Sequence, residues 1–201
     1  ERLDEEYAGR NREMKKAWNF IRGRRRKNEF ESCFLNHFSL FFEQAQEAER
    51  NLSQSAYGEM YETAREQGLI CHGDYNQHQI LNTRKGMATT NFTKCRYDVQ
   101  TGDLYQFLRK ILEKQEWDLK LGMAMVEEYD RELSLDRAAR EYLRIRMAYP
   151  EKFWKLANHY YNHNKAWIPG KNVEKLQMLV FTDEILLKEI YESWSGNDFR
   201  S

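Results

Sequence analysis

Apolar residues recur every three or four positions along most of this chain, a spacing that predicts helices. Met14, Trp18 and Ile21 mark a first helix over about residues 10–22. Phe30, Phe34, Phe38, Phe41 and Ala45 mark a second from Glu29 to Ala48, and Leu35, Leu40 and Phe42 widen its apolar stripe to that of a central helix. Ser53 or Ser55 is placed to cap a third, with Gly68 as the glycine that ends it. The period then shortens. Gln79 to Leu81 and Met87 to Phe92, around a Thr83-Arg84-Lys85-Gly86 turn, predict a short β-hairpin, the one clear strand signal. Helices resume at Thr101 to Lys114 and at about Leu119 to Glu132. Ser134 is the expected N-cap of Leu135 to Ala148, with Asp136 in its first turn, and Pro150 opens Glu151 to Asn162. Val173, Leu176, Val180, Leu187 and Ile190 mark a last helix from about Asn172 to Ser193, making eight helices and one hairpin.

Composition adds an interior to this pattern. The 201 residues are 41% hydrophobic and 32% charged, with Tyr 12, Phe 11 and Trp 5, which predicts one globular domain with an aromatic core. Pro150 and Pro169 are the only prolines, so long helices run without interruption. Lys plus Arg and Asp plus Glu number 32 each, which excludes a whole-domain field drawing nucleic acid or an acidic membrane. Neither partner is expected. Cys33, Cys71 and Cys95 form no Cys-x-x-Cys pair, which predicts a reducing compartment and neither a disulfide framework nor a zinc site. No run approaches the roughly 18 apolar residues of a membrane span, and no signal-peptide pattern opens the chain. A soluble protein is expected, and a first residue of Glu suggests a chain cut from its natural start.

The candidate chemistry lies around the hairpin, in Leu69-Ile70-Cys71-His72-Gly73-Asp74-Tyr75-Asn76-Gln77-His78-Gln79-Ile80-Leu81, Asn91-Phe92 and Asp103-Leu104. Phosphoryl transfer asks for positioning and for cations that neutralise developing charge. In kinases a catalytic-loop Asp takes the substrate hydroxyl proton, an Asn five residues later binds metal, and the Asp of an Asp-Phe-Gly motif binds metal beyond a short hairpin. Asp74 stands in the first place, Gln79 in the second and Asn91 in the third. Gln79 begins one predicted strand and Asn91 ends the other, so pairing brings them together near Asp74. Asp98 is within reach as a substitute ligand, although a loop Asp more often forms a turn.

Other groups weigh less. His159 and His163 are four apart on a helix, yet the intervening Tyr160-Tyr161-Asn162 lacks the Glu of a His-Glu-x-x-His site. His78 reads as a surface residue at a strand edge. Trp18, Trp117, Trp154, Trp167 and Trp194 read as core or groove residues, with Tyr160, Tyr161 and Trp167 open to a role in a substrate groove. The run Arg22, Arg24, Arg25, Arg26, Lys27 reads as a solvated helix end or as a contact for an acidic partner or nucleic acid.

The His-Gly-Asp loop, an aromatic next to it, and a hairpin leading to Asn91-Phe92 twelve residues before Asp103-Leu104 resemble the aminoglycoside phosphotransferase and choline kinase group. Further text, Tyr97-Asp98-Val99, Asp103-Leu104-Tyr105-Gln106-Phe107-Leu108-Arg109-Lys110, Tyr149-Pro150-Glu151-Lys152-Phe153-Trp154 and Lys165-Ala166-Trp167-Ile168-Pro169, is similar to CotS-type spore-coat proteins of spore-forming bacteria. The resemblance covers about residues 20–194. It implies a mainly α fold, the helical C-terminal lobe of a protein-kinase-like protein with one short hairpin at the catalytic loop, filling residues 1–201 as a single lobe. The nucleotide-binding N-terminal lobe is absent from this chain: no Gly-rich loop and no strand Lys precedes Asp74. The resemblance further implies Asp74 at the catalytic-base position and His72 supporting the loop. Asp103 becomes the helix Asp that hydrogen-bonds the catalytic-loop backbone, and Gln79 and Asn91 become degenerate metal positions. Magnesium prefers anionic oxygen, so exchanging a carboxylate for the amide of Asn91 removes a full charge from its site. No cofactor is expected for this chain, with ATP and magnesium required only if a full-length parent is active. Its expected place is the spore coat, after cytoplasmic synthesis, with other coat proteins as partners.

Overall fold

The computed structural model describes residues 2–162 and 170–180. The described residues gather into two compact units, one of those up to Asn51 together with those from Ala148, the other of Leu52–Met147.

The first unit starts earlier than the Met14–Ile21 spacing indicates. Helix α1 runs Leu3–Gly23 because Leu3, Tyr7 and Asn11 extend the buried stripe of Met14, Ala17 and Ile21 back to the first turn. The polar Asn11 is compatible with burial because its amide is bound on both sides. Its Nδ2 donates to the Ala45 carbonyl at 3.2 Å, and its Oδ1 accepts from the Tyr149 hydroxyl at 3.0 Å. Helix α2 runs Glu29–Gln54, with Phe30, Phe34, Phe41 and Ala45 fully buried. The expected widening of this stripe by Leu35, Leu40 and Phe42 is not observed: Leu40 is exposed and Leu35 and Phe42 are half-buried, since they lie off the Phe30–Ala45 stripe. Helix α7, Glu151–Asn162, follows Pro150 as expected. Phe153 stacks on Phe34 and Phe41 with ring centroids 4.9 and 4.4 Å apart, Tyr160 stacks on Phe30, and Tyr7 stacks on Tyr149. A further helix, α8, occupies residues 170–180 and buries Val173 and Leu176. The rest of the predicted last helix, with Leu187 and Ile190, lies outside the described residues, as do His163, Trp167, Trp194 and Lys165-Ala166-Trp167-Ile168-Pro169.

One buried charge organises the α1–α2 connection. Asn28 and Glu31 form a reciprocal capping box: the Asn28 N–H donates to Glu31 Oε2 at 2.8 Å and the Glu31 N–H to Asn28 Oδ1 at 2.9 Å. The other Glu31 oxygen accepts from Arg24, at 2.7 Å, and from the Tyr160 hydroxyl. An amide would present N–H groups to donors, so Glu31→Gln is expected to lower stability by about 2 kcal/mol. A fall in urea midpoint at unchanged slope is the check.

In the second unit, helix α3 (Tyr57–Glu66) begins beyond Ser55, whose hydroxyl accepts from the Tyr57 N–H at 3.2 Å. It ends as expected at Gly68, with φ of 69°. The Leu69 N–H reaches the Ala64 carbonyl and the Gly68 N–H that of Arg65, the paired bonds of a Schellman ending. Strands β2 (Ile80–Thr83) and β3 (Gly86–Thr89) form the predicted hairpin, antiparallel with Thr83 opposite Gly86. A second antiparallel pair, β1 (Ile70–Cys71) with β4 (Arg96–Tyr97), has no counterpart in the sequence pattern, because two-residue strands show no alternation. Helix α4 (Thr101–Leu112) buries Leu104, Tyr105, Leu108 and Leu112. Helix α5 (Leu119–Glu132) lies close to it at Gly122, where a Cβ would meet the Leu112 side chain at 3.3 Å. Helix α6 spans Arg137–Ala148. Its cap is Asp136, which accepts from the Ala139 N–H at 2.7 Å, and not Ser134. The Leu135 N–H is held by Asp130 at 2.6 Å, outside the helix, which begins at Arg137. Tyr142 stacks on Tyr57, and the buried Arg146 guanidinium lies 4.0 Å over the Tyr105 ring and donates to the Tyr142 hydroxyl at 3.0 Å. Among the described residues no helix is long and apolar enough to cross a membrane.

Candidate functional site

Two side chains on the first turns of α4 hold the loop that follows β1. Asp103 accepts the His72 N–H at 2.6 Å on Oδ2 and the Gly73 N–H at 2.9 Å on Oδ1. The helix dipole favours a carboxylate at that end of α4. Three residues on, Gln106 accepts from the Tyr75 N–H at 3.1 Å and donates to the Gly73 carbonyl at 3.2 Å. The Asp103-Leu104-Tyr105-Gln106 spacing is the only sequence trace of this second clamp.

His72 joins this loop to the hairpin. Its Nδ1 accepts from the Asp74 N–H at 3.2 Å, so the proton sits on Nε2, which donates to the Thr90 carbonyl at 2.8 Å. The network thus selects one neutral tautomer. The ring is buried, with Phe92 4.8 Å and Tyr75 5.7 Å away between centroids. Asn76 completes the loop by accepting from the His78 N–H at 3.0 Å and donating to the Asp74 carbonyl at 2.8 Å.

Gln79 and Asn91, expected to begin and end the two strands, both lie just outside them, since β2 begins at Ile80 and β3 ends at Thr89. Gln79 ends a 3-10 turn, Gln77–Gln79, and its carbonyl accepts from the Thr90 N–H at 2.9 Å, so hairpin pairing places it beside the residue preceding Asn91. Asn91 stands beyond β3 with φ of 62° and ψ of 60°, a left-handed conformation that Asn tolerates, and its Oδ1 accepts from Thr93. A short 3-10 turn follows, Phe92–Lys94. It delivers Lys94 to Asp74: the ammonium lies 3.1 Å from Asp74 Oδ2.

These residues do not fit a magnesium site. Gln79 and Asn91 offer neutral amides, the Asp74 carboxylate already faces an ammonium, and no group of three His, Cys, Asp or Glu able to hold a metal occurs among the described residues. Asp98 is committed elsewhere. It accepts from Arg96 and from the Val99 N–H, both at 2.8 Å, and so forms the turn into α4. Burial pushes the neighbouring Cys71 thiol up to about 12, which keeps it a neutral packing group. His78 is exposed, beside the Gln77 amide.

An aminoglycoside phosphotransferase from Alicyclobacillus acidocaldarius subsp. acidocaldarius DSM 446 superposes on 98% of this chain with a TM-score of 0.86 at 18% identity, the chain covering 60% of that structure. The fold is therefore the helical part of a kinase-like protein, mainly α with a short hairpin at the His-Gly-Asp loop. Spore coat protein S of Bacillus subtilis (strain 168) is 26% identical over 157 residues, 77% of this chain. The chain spans 45% of the length of that relative. A family model described as "Spore coat putative kinase YutH" matches residues 5–186, and across that span the chain belongs to this spore-coat, kinase-like family.

Proposed function

We propose that this lobe is non-catalytic and serves as an assembly or interaction module of a spore-coat protein, made in the cytoplasm and carried into the coat with other coat proteins as partners. The observation that carries the reading is the Lys94 ammonium, 3.1 Å from the carboxylate at the catalytic-base position. A positive charge there competes for the carboxylate from which a base would approach a hydroxyl, and it repels a divalent cation from the same oxygens. Gln79 and Asn91 add no anionic ligand to offset it. His72, Asp103 and Gln106 are bound to the loop backbone, so they keep its shape whether or not anything reacts there.

The test uses the full-length protein with ATP and magnesium. No transfer of the γ-phosphate is expected, and ATP with magnesium is expected to leave the melting temperature of this chain unchanged. Transfer that disappears in Asp74→Ala would establish the alternative, an ATP-dependent small-molecule hydroxyl kinase with Asp74 as general base. Because the Lys94 and Asp74 side chains are 64% and 37% exposed, their pair contributes little to stability, and Asp74→Asn is expected to shift it by less than about 1 kcal/mol in thermal unfolding.

A further inference from the structure

The last turn of α1 and the connector to α2 carry Arg22, Arg24, Arg25, Arg26 and Lys27, all exposed. Helix stability accounts for part of this run only. Arg22 sits in the last turn of α1, where a cation is favourable, and lies over the Trp18 ring at 4.5 Å. The following residues run straight into the first turn of α2, where the helix dipole disfavours positive charge. The nearby carboxylates do not balance them. Glu31 is buried and bound to Arg24, leaving the exposed Glu29 beside the run. Arg25 and Arg26 form no ion pair or hydrogen bond with any described residue.

The cations also have a shape. Arg24, Arg25 and Arg26 line a depression of about 500 Å³. Glu31 and the Tyr160 hydroxyl, which accepts from Arg24 at 2.9 Å, hold one wall in place. Beside it stands an apolar pair: Phe20 and Tyr161 meet edge to face at 5.7 Å and remain 40% and 42% exposed, with the Arg24 guanidinium 6.0 Å over Phe20.

We propose that this connector docks an acidic segment of a partner protein, its carboxylates entering the arginine depression and an aromatic or aliphatic residue packing on Phe20 and Tyr161. The proposal rests on the reading of this lobe as an interaction module and names the chemistry of the partner. Arginine forks pair with carboxylates two bonds at a time, and aromatic and Arg side chains are the ones that anchor protein interfaces. A nucleic-acid surface needs cations spread along several phosphates, whereas these are confined to one connector on a chain with no net charge.

The test is fluorescence anisotropy of a labelled short peptide of Glu and Asp with one central Phe, titrated with the 201-residue chain. Binding that weakens with salt is expected, reduced about tenfold in Arg25→Gln/Arg26→Gln and about threefold in Phe20→Ala. Unchanged melting temperatures in these exposed-site variants show that the loss is local. Equal binding by the double variant would overturn the proposal, as would displacement of the peptide at equal charge by a single-stranded oligonucleotide or by inorganic phosphate. Peptide binding and phosphate transfer are separate measurements, so loss of this site leaves the Asp74 reading standing, and an active kinase leaves the peptide result standing.

Discussion

Gly73→Ala is expected to destabilise the protein by about 4 kcal/mol, most of it from one collision. Gly73 has φ of 78°, and a Cβ there would lie 2.1 Å from the Lys94 carbonyl oxygen. That oxygen belongs to the backbone and cannot rotate aside, so the Phe92–Lys94 turn must move, pulling Thr90 from His72 and Lys94 from Asp74. Gly68→Ala is the control. With φ of 69° and nothing within 4 Å of its Cβ position, it carries the conformational cost alone. That cost is about 1 kcal/mol. Urea unfolding of the two variants should therefore differ about fourfold in effect, and equal losses would show that the Lys94 turn yields freely.

Asp103→Ala should be as damaging for an electrostatic reason. It strands the His72 and Gly73 N–H groups, each now bound to an ionised oxygen. Hydrogen bonds to charged groups contribute about 1.5–3 kcal/mol apiece, so a loss of about 4 kcal/mol is expected, a large share of the stability of an ordinary domain. Asp103→Asn keeps one acceptor and should lose about half as much. Hydrogen exchange localises the effect: the His72 and Gly73 amides should exchange much faster in Asp103→Ala while core amides of α2 follow the global change.

Where burial follows a single helical stripe the chain is legible, as in α2 and α4, and the ending of α3 follows from the freedom of Gly68. Burial of α1 runs through Tyr7 and Asn11, polar-capable residues whose suitability depends on partners 34 or more positions away. No local period contains that information. His72, Asp74 and Asp103 are picked out by the resemblance of their short motifs, and the hydrogen bonds from the loop to Asp103 agree with that reading, whereas Gln79 and Asn91 stand just outside the strands that spacing assigns them. Lys94 and Gln106 are not picked out, since their partners meet them only after the hairpin folds back and α4 docks. The tryptophans show the same division. Trp18 stacks on Phe38, and Trp154 donates to Glu13 under the Arg10 guanidinium, whereas Trp117 takes φ of 60° in the α4–α5 link.

The single tautomer of His72 makes its ring a strut of fixed length between the loop and the end of the hairpin, loaded at both nitrogens. A strut has no spare valence for chemistry. Two of the three letters of His-Gly-Asp therefore have mechanical duties that persist whatever becomes of the third. A chain of this architecture could exchange its reactive group and still display most of the signature, because the loop would keep the same shape.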